Sequence, residues 1–293
     1  MIWITSRFSI DLSQPRVMGI VNVTPDSFSD GGYFSATSSA IAHCENLVRQ
    51  GADILDIGGE STRPNAHAVP VEEELARVLP VVRHAVTLGV PVSVDTYKPA
   101  VMQAVLDLGA DIINDVWALR WQGGDGLSGR EVVARHGRCG VCLMHMHREP
   151  QTMQASPMEG DVVSQVLSFL EHHAQHLCGL GIEKARICLD PGIGFGKTVE
   201  QNFRLLACQQ LLADLGYPLL AGWSRKSSLV AVTQTSLADA ATLDRRERMV
   251  PSVAAAVLAV ERGARVVRVH DVKETVQALK VWRAMQAAQA HNP

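Results

Sequence analysis

The chain has 293 residues, of which 47% are hydrophobic and 19% are charged, so it carries enough apolar sequence to bury a sizeable core. Its 27 basic and 30 acidic residues leave it close to neutral, which argues against charge-driven binding to nucleic acid or to an anionic membrane surface. The sequence has no apolar run long enough to span a membrane and no start typical of a signal peptide, so we expect a soluble, cytoplasmic protein.

The apolar runs of the chain predict eight strands separated by helices. In chain order, the strands are residues 17–22, 53–58, 92–95, 112–115, 141–145, 187–190, 219–222 and 266–270, and the helices include residues 38–50, 71–88, 99–108, 161–180, 200–215, 251–262 and 272–288. The strands are continuously apolar rather than alternating, which is typical of a parallel sheet covered by helices. We therefore predict a (β/α)8 TIM barrel, a single domain over residues 1–293 with its core at about 15–285. A doubly wound open sheet is the alternative.

An internal repeat supports this division. Residues 51–56, 109–114 and 263–268 each begin with a glycine able to end a helix and continue as a short apolar strand. Each then reaches a polar residue five positions after the glycine. The three segments have the same pattern, as expected if they are equivalent helix-to-strand connections.

The cysteines do not indicate a disulfide framework or a zinc site. Six are scattered along the chain, and the only close pair, Cys139 and Cys142, is followed by His145 and His147. A redox Cys-X-X-Cys motif should open a helix, whereas residues 141–144 read as a strand, and a structural zinc site needs four converging ligands. We interpret these cysteines as buried thiols in a reducing compartment.

The segment at residues 187–197 looks like part of an active site. Its apolar strand ends in Asp190, Pro191 stops the strand ladder, and three glycines follow within five residues. Glycines let the backbone approach a ligand closely, and a barrel places its chemistry at the carboxyl ends of its strands. The alternative is a surface turn in which Asp190 caps a helix.

The other predicted strands also end in polar residues. Arg268 and His270 are two residues apart, so they should point the same way and, with Arg63, bind a diphosphate. Opposite them we expect Asp95, Asp190 and Asn114, whose acceptor groups suit the donor-rich edge of a heterocycle such as an aminopyrimidinone. Asn22 offers a carbonyl oxygen, a hard ligand suited to Mg²⁺ held mostly by water and diphosphate.

These motifs together resemble the dihydropteroate synthases, folate-pathway enzymes of the pterin-binding barrel superfamily. The resemblance extends from Met18 to about Val272 and rests on residues 22–32 (Asn-Val-Thr-Pro-Asp-Ser-Phe-Ser-Asp-Gly-Gly), 56–64 (Asp-Ile-Gly-Gly-Glu-Ser-Thr-Arg-Pro), 93–96, 113–116, 190–197, 224–227 and 268–271. It implies displacement of diphosphate from 6-hydroxymethyl-7,8-dihydropterin diphosphate by the amine of p-aminobenzoate, with Mg²⁺ as cofactor. The product would be 7,8-dihydropteroate.

The resemblance also implies roles for individual residues. The pterin would contact Asp95, Asn114, Asp190 and Lys226, with Met144 in its pocket. The diphosphate and the metal would contact Asn22, Arg63, Arg268 and His270. The p-aminobenzoate, and the sulfonamide inhibitors that occupy its site, would contact Thr62, Pro64, Phe28, Phe195 and Ser227. Asp95, Asp190, Lys226 and Arg268 are the expected catalytic residues. Diphosphate would leave before the amine attacks, and the loops after the first two strands would close over the intermediate.

A few positions depart from the family pattern. Trp223 stands where a smaller residue is usual, and Ser228 and Val230 replace a bulkier residue and a glycine. Residues 147–150 lack the usual glycine after the Met-His-Met run, with Arg148 and Glu149 in that stretch. We expect these positions at the rim of the pocket, where they would affect inhibitor sensitivity rather than the reaction.

Two other functions share parts of this pattern. A methyltetrahydrofolate-dependent methyltransferase has the barrel and the pterin contacts but no need for Arg63 or for the pair Arg268 and His270. A non-catalytic pterin-binding paralogue would be expected to lack some anion ligands, and none is missing here.

The helix predicted near the C-terminus is apolar on every side. Residues 253–260 contain only valine, alanine and leucine, so this helix should bury a second face against something beyond the barrel. We expect a homodimer that uses the last helices; the alternative is a fully buried helix in a monomer.

Overall fold

The structure is a computed structural model that describes residues 1–24, 32–62, 68–123, 126–149, 152–153, 155–233 and 245–290. The strands are β1 (Ile2–Ile4), β2 (Ser9–Asp11), β3 (Arg16–Asn22), β4 (Ile54–Gly58), β5 (Val92–Asp95), β6 (Ile112–Asp115), β7 (Gly140–Met144), β8 (Ile187–Asp190), β9 (Leu220–Ala221) and β10 (Val266–Val269). The helices are α1 (Gly32–Gln50), α2 (Val71–Ala85), α3 (Pro99–Asp107), α4 (Gly129–His136), α5 (Val162–Gly179), α6 (Val199–Ala207), α7 (Gln209–Ala213), α8 (Ser227–Thr233), α9 (Arg245–Glu261) and α10 (Val272–Ala290).

The strands from β3 to β10 form one parallel sheet that closes on itself. Their order is β8-β7-β6-β5-β4-β3-β10-β9, and every neighbouring pair is parallel. A bridge between Leu189 and Leu219 joins the two outer strands of this order. The predicted TIM barrel is therefore confirmed, whereas the division of the chain as a single domain stays a prediction.

Alternation along the strands divides their side chains between two layers. Outward-facing residues such as Val94, Ile113 and Leu189 are buried against the helices. Inward-facing residues form a separate cluster inside the barrel: Met18, Ile54, Ile112, Cys142, Cys188, Leu220 and Val266. Successive residues of a strand face opposite sides of the sheet, so a side chain two positions after a member of the inner cluster also points inside.

A short hairpin that the sequence analysis did not predict covers the amino ends of the strands. β1 and β2 pair antiparallel, and the fully buried Trp3 joins the inner cluster of the barrel. Its indole Nε1 donates a hydrogen bond to the carbonyl oxygen of Arg186 at 3.0 Å. The hairpin plugs this mouth with an aromatic side chain, so the opposite mouth is the one left for a ligand.

Strand bounds follow the prediction closely, while helix bounds differ in places. The helix predicted at 200–215 is divided into α6 and α7 at Cys208, and α4 and α8 were not predicted.

The interpretation of Cys139 and Cys142 as buried free thiols is confirmed. Among the described residues, no helix is long and apolar enough to cross a membrane.

Candidate active site at the carboxyl ends of the strands

Five polar side chains from five strands of the sheet point into the carboxyl-end half of the barrel. Four of them, Asp56, Asn114, Asp190 and Arg268, stand two residues after a member of the inner cluster. The fifth, Asp95, lies directly opposite Asn114 in the parallel register. The interior therefore changes from apolar at its amino end to strongly polar at its carboxyl end.

Arg268 lies between two carboxylates. Its Nε donates to Asp56 Oδ2 at 2.6 Å, and its Nη2 donates to Asp95 Oδ2 at 2.8 Å. The sequence analysis placed Arg268 on a wall opposite Asp95, and the structure instead joins the two directly. The reason is electrostatic, because a charged guanidinium and a carboxylate attract strongly away from water.

The charges of this group do not balance, since two carboxylates share one guanidinium. Burial raises the pKa of Asp95 to about 7, with Arg268 lowering it and the carboxylate of Asp56 raising it further. For Arg268, burial disfavours the charged form, but Asp56 and Asp95 outweigh burial and raise its pKa. Arg268 therefore stays charged, while Asp95 titrates near neutral pH.

Asn114 belongs to the same group. Its side chain is 5% exposed, and its Nδ2 donates to Asp56 Oδ2 at 3.2 Å. Asp56 was part of a quoted motif but was not predicted as a site residue. The signal that would have found it is the strand period, since Asp56 lies two residues after the inward-facing Ile54.

Asp190 is buried at the end of β8, and one of its oxygens has a local role. Oδ1 accepts a hydrogen bond from the backbone N of Gly192 at 2.7 Å, whereas a Cβ placed on Gly222 would lie 3.9 Å from Oδ2. Burial raises the pKa of Asp190, although the Gly192 N–H and the charges of Lys226, Arg268 and Lys197 lower it. The carboxylate thus both holds the turn and lines the mouth of the barrel.

The glycines after Asp190 are required by close packing against the loop after β7. Gly192 has φ of 67°, and a Cβ there would lie 1.9 Å from the carbonyl oxygen of His145. Gly196 has φ of 70°, and a Cβ there would meet the backbone of His147 at 2.8 Å. A side chain at either position would separate the two loops.

A buried lysine fixes the conformation of the same segment. Lys197 Nζ donates to the carbonyl oxygens of Gly192 at 2.8 Å and Phe195 at 3.1 Å, and lies 3.0 Å from His145 Nδ1. Burial lowers the pKa of Lys197 to about 7, and burial followed by the charge of Lys197 lowers the pKa of His145 to about 2. His145 is therefore neutral. Lys197 lies within one of the family motifs, but the sequence analysis predicted no role for it.

An apolar wall stands beside the polar group. Met144 and Phe195 form a cluster with Val116, Met146 and Met153, and Tyr97 and Trp117 pack against it. Lys226 Nζ lies 4.2 Å from the centroid of the Phe195 ring, which is a cation–π distance. Charge and aromatic surface thus meet at one edge of the mouth.

The loop after β9 and the end of β10 are joined by hydrogen bonds. Ser224 Oγ lies 2.9 Å from His270 Nδ1 and accepts from His270 N at 3.1 Å. Arg225 adopts a left-handed φ of 60° and pairs with Asp271 at 2.7 Å. This conformation is costly for a residue with a side chain, and the ion pair holds it. Ser227 follows as the exposed first residue of α8.

Five of the predicted residues lie on the segments that follow β3 and β4 or at their starts. Phe28, Arg63 and Pro64 lie outside the described residues, so the predicted anion site with Arg63 stays a prediction. Asn22 ends β3 and Thr62 follows β4, and both side chains are partly buried.

The positions that depart from the family pattern are mostly not at the pocket rim. Trp223 is 1% exposed and packs against Phe203 of α6 at 5.3 Å, so its predicted place at the rim is wrong. Ser228 is buried and accepts from Asn202 Nδ2 at 2.9 Å, while Asn202 Oδ1 accepts from Gly194 N at 2.8 Å. Ser228 therefore supports the glycine-rich segment. Arg148 takes a left-handed φ of 62° where glycine is usual.

A second buried ionic group lies near the carboxyl end of β4. Lys98, 4% exposed, contacts the carboxylates of Glu60 and Glu74. Glu60 also accepts from Tyr97 Oη at 3.0 Å and from Val69 N at 3.1 Å. Val69 lies nine residues after Glu60, so this hydrogen bond joins two described residues that are separated in the sequence.

The comparisons with known proteins agree with this geometry. Residues 18–270 match the family described as pterin binding enzyme. The dihydropteroate synthase of Neisseria meningitidis serogroup C is 49% identical over 287 residues, covering 97% of both chains. The chain belongs to the dihydropteroate synthase family of pterin-binding enzymes. The predicted function as a transferase of this type is thereby confirmed over the methyltransferase alternative.

Solved structures of dihydropteroate synthases have the same fold. The enzyme of Xanthomonas albilineans with 4-aminobenzoic acid has a TM-score of 0.85 and 48% identity, and the match covers 95% of this chain and 96% of that chain. The enzyme of Yersinia pestis in a sulfonamide drug complex has a TM-score of 0.88 and 42% identity, covering 98% and 100%. At these identities the fold and the family are both shared.

Proposed function

We propose that this dihydropteroate synthase joins 6-hydroxymethyl-7,8-dihydropterin diphosphate to p-aminobenzoate at the polar group in the barrel mouth. The observation that carries the assignment is the set of acceptors at the carboxyl ends of β5, β6 and β8: Asp95, Asn114 and Asp190. An aminopyrimidinone ring presents several N–H donors along one edge, and a row of carboxylate and amide oxygens satisfies them. Binding of 4-aminobenzoic acid by the Xanthomonas relative supports the second substrate.

The apolar wall suits the rings of both substrates. Met144 is 4% exposed and lies next to the glycine-rich segment, and Phe195 is 9% exposed. Lys226, which lies over the Phe195 ring, would donate to the carbonyl oxygen of the pterin. The arylamine would lie near Phe195, Thr62 and the amino end of α8 at Ser227. Sulfonamide inhibitors would take the same place, and the Yersinia relative forms a complex with a sulfonamide drug.

The departing diphosphate needs positive charge at the edge of the pocket opposite the pterin acceptors. Arg268 and His270 would contact the departing diphosphate, together with Arg63. Within the described part of the chain, no three His, Cys, Asp or Glu side chains are arranged to hold a metal. Mg²⁺ keeps water and phosphate oxygens and takes few protein ligands, and Asn22 at the end of β3 would supply one oxygen. Bound Mg²⁺ would neutralise charge on the diphosphate.

The residues around the pterin favour departure of the diphosphate before the arylamine attacks C9. The bond from C9 to oxygen breaks as the pterin ring takes up positive charge, and Asp95 and Asp190 stabilise that charge. The neutral arylamine then forms the new C9–N bond and releases a proton. No strong general base is required, because the amine nitrogen is already uncharged.

The proposal is tested by following both products. With both substrates and Mg²⁺, the chain should release diphosphate and form dihydropteroate in equal amounts, and omitting p-aminobenzoate should suppress both. A non-catalytic pterin-binding protein would bind the pterin without releasing diphosphate. That result would refute the proposed reaction.

Replacing Asp190 with asparagine should weaken pterin binding without unfolding the protein. The Asn side chain can still accept from Gly192 N, so the turn is kept, but an amide donor replaces Oδ2 and faces another donor. A mismatched buried pair costs on the order of 1–3 kcal/mol, so calorimetry with 6-hydroxymethyl-7,8-dihydropterin should show at least about tenfold weaker binding.

A matched control is Asp161→Asn. Asp161 also accepts from a backbone N two residues later, that of Val163 at 3.1 Å, but it is an exposed cap of α5 rather than a buried residue inside the barrel. This variant should bind the pterin normally. An Asp190→Asn protein that melts several degrees lower yet binds pterin like the parent would show that Asp190 is structural.

We also propose a homodimer through the last helices. Val250 on α9 is 68% exposed, Leu258 on α9 is 51% exposed and Val281 on α10 is 73% exposed, and a shallow apolar groove between the two helices is lined by Val253 and Val257. Exposed apolar faces of this kind mark protein interfaces. Light scattering at micromolar concentration should give the mass of two chains, and Leu258→Asp should give one. A parent of monomer mass would refute the dimer.

A cytoplasmic location remains part of the proposal. All six cysteines are free, which fits a reducing compartment.

A further inference from the structure

We propose that Asp56 is a positioning residue that sets which atoms Asn114 presents to the pterin and how Arg268 presents its donors to the diphosphate. This inference rests on the proposed function, because it concerns the same pocket. Asp56 is 0% exposed. It therefore acts through the two side chains that it contacts.

One oxygen of Asp56 holds both neighbours. Oδ2 accepts from Arg268 Nε at 2.6 Å and from Asn114 Nδ2 at 3.2 Å. Oδ1 is buried and has no hydrogen-bond partner among the residues that the structure describes. A buried carboxylate left half unsatisfied is unfavourable for folding alone, which points to a role of Asp56 in the pocket.

The contact with Arg268 fixes a long and flexible side chain at two points. Asp56 on β4 holds Nε, and Asp95 on β5 holds Nη2. Two carboxylates on different strands define the plane of the guanidinium, because its donors have a fixed geometry. With Asp56 neutral, Arg268 keeps one charged partner, and its guanidinium can turn about that contact.

The contact with Asn114 decides which end of the amide faces the pocket. An ionised carboxylate accepts hydrogen bonds and cannot donate them, so the Asn114 group directed at Asp56 must be Nδ2. Oδ1 is then directed to the other side. Asp56 in this way makes Asn114 an acceptor for the ligand, in line with Asp95 and Asp190, and selects rings that offer donors along this edge.

Asp56 also acts on the charge of Asp95. The groups that bear on Asp95 are Arg268 from β10, which favours its ionised form, and Asp56 from β4, Asp115 from β6 and Glu74 from α2, which oppose ionisation. Removing the charge of Asp56 should therefore lower the pKa of Asp95. Pterin binding that needs ionised Asp95 should then persist to lower pH.

The test compares Asp56→Asn with Asp111→Asn. Asp111 is an equally buried carboxylate that binds a guanidinium, that of Arg7 at 2.6 Å, and a backbone N, that of Val92 at 2.9 Å. It precedes β6, at the opposite end of the barrel. Both variants remove a buried charge, so both should lower the melting temperature, but they should differ in the pocket.

Binding of 6-hydroxymethyl-7,8-dihydropterin is measured by calorimetry from pH 6 to pH 8. For Asp56→Asn we expect at least about tenfold weaker pterin binding at pH 8. The pH at which pterin binding is half lost should be lower in this variant than in the parent. The KM for p-aminobenzoate should change less than about twofold. Asp111→Asn should match the parent in both measurements. Parent-like binding and an unshifted midpoint in Asp56→Asn, or equal losses in the two variants, would overturn the proposal.

A double-mutant cycle with Asn114→Ala tests the route through the amide. If Asp56 acts through Asn114, then Asp56→Asn should weaken binding less in the Asn114→Ala background than in the parent. Additive effects would contradict that route. If Asp56→Asn does not fold, the smaller neutral Asp56→Ser takes its place, and failure of both to fold would overturn the positioning role.

The outcomes also distinguish this inference from the proposed function. A parent protein that neither binds the pterin nor releases diphosphate would refute the function itself. A parent that does both, with Asp56→Asn indistinguishable from it, would refute the role of Asp56 alone.

Discussion

Replacing Arg268 with alanine is expected to lower kcat by about 100- to 1000-fold, the usual effect of removing one donor that stabilises transition-state charge. The KM for p-aminobenzoate should change little, because Arg268 lies with Asp56 and Asp95 rather than at the apolar wall. Steady-state kinetics with each substrate varied in turn gives both values. Unchanged turnover with a higher KM for p-aminobenzoate would contradict this assignment.

The same change should destabilise the folded protein in a pH-dependent way. Without the guanidinium, two buried carboxylates face each other, and breaking a buried pair costs about 3–5 kcal/mol. The pKa of Asp95 is already raised to about 7 by burial and should rise further without Arg268. A carboxyl whose folded-state pKa lies above its unfolded value is stabilised when protonated, and that stabilisation is lost as pH rises through the folded-state pKa.

The loss of stability in Arg268→Ala should therefore be largest at pH 8 and smaller at pH 5.5, as followed by thermal melting. Arg268→Lys is the control, since it keeps a positive charge between the carboxylates but not the paired donors. It should recover most of the stability and little of the turnover. A loss of stability in Arg268→Ala that does not depend on pH would show that the two carboxylates do not repel.

Replacing Lys98 with methionine is expected to destabilise the protein by about 3–5 kcal/mol, because Glu60 and Glu74 would remain buried without their cation. Lys98 is 4% exposed, and Glu74 is 1% exposed with Oε1 lacking a hydrogen-bond partner among the described residues. Methionine fills a similar volume, so the loss reports charge rather than packing. For a protein of this size the melting temperature should fall by about 5–8 °C.

Two companion variants identify the cause. Adding Glu74→Gln to Lys98→Met removes one of the stranded charges and should restore part of the stability. Lys184→Met, which removes an exposed lysine that donates to the carbonyl oxygen of Leu215 at 3.0 Å, should change stability by less than about 0.5 kcal/mol. A Lys98→Met protein that melts with the parent would mean that Glu60 and Glu74 are not held as ions.

Local sequence determined the positions and directions of the barrel strands. The strands predicted at 112–115 and 187–190 match β6 and β8 to the residue, because a continuous apolar run closed by an acid is a local signal that tertiary packing reinforces. The period of two residues then places Asn114 and Asp190 inside the barrel once the apolar residues before them face inward. The family motifs likewise lie within short segments, so the chemistry of the pocket could be read from them.

Tertiary structure decided which of these side chains meet. Arg268 contacts Asp56 across 212 residues of sequence and Asp95 across 173, and no local pattern reports a pairing over that distance. The pairing depends on barrel closure, which brings β10 beside β3 and within reach of β4 and β5. Sequence reasoning therefore predicted an open anion site at Arg268, where the folded chain forms a shared ion pair.

The remaining differences have the same origin. The three-residue strands of the β1–β2 hairpin are too short for a periodic signal, and they form because Trp3 fills the open amino end of the barrel. Trp223 lies under α6 instead of at the rim, because the strand after which it stands directs it outward. Burial of Lys98 between two glutamates is favourable only where α2 and the end of β4 already meet. The sequence by itself thus determined the strands and the chemistry at their ends, and the closed barrel decided the contacts among them.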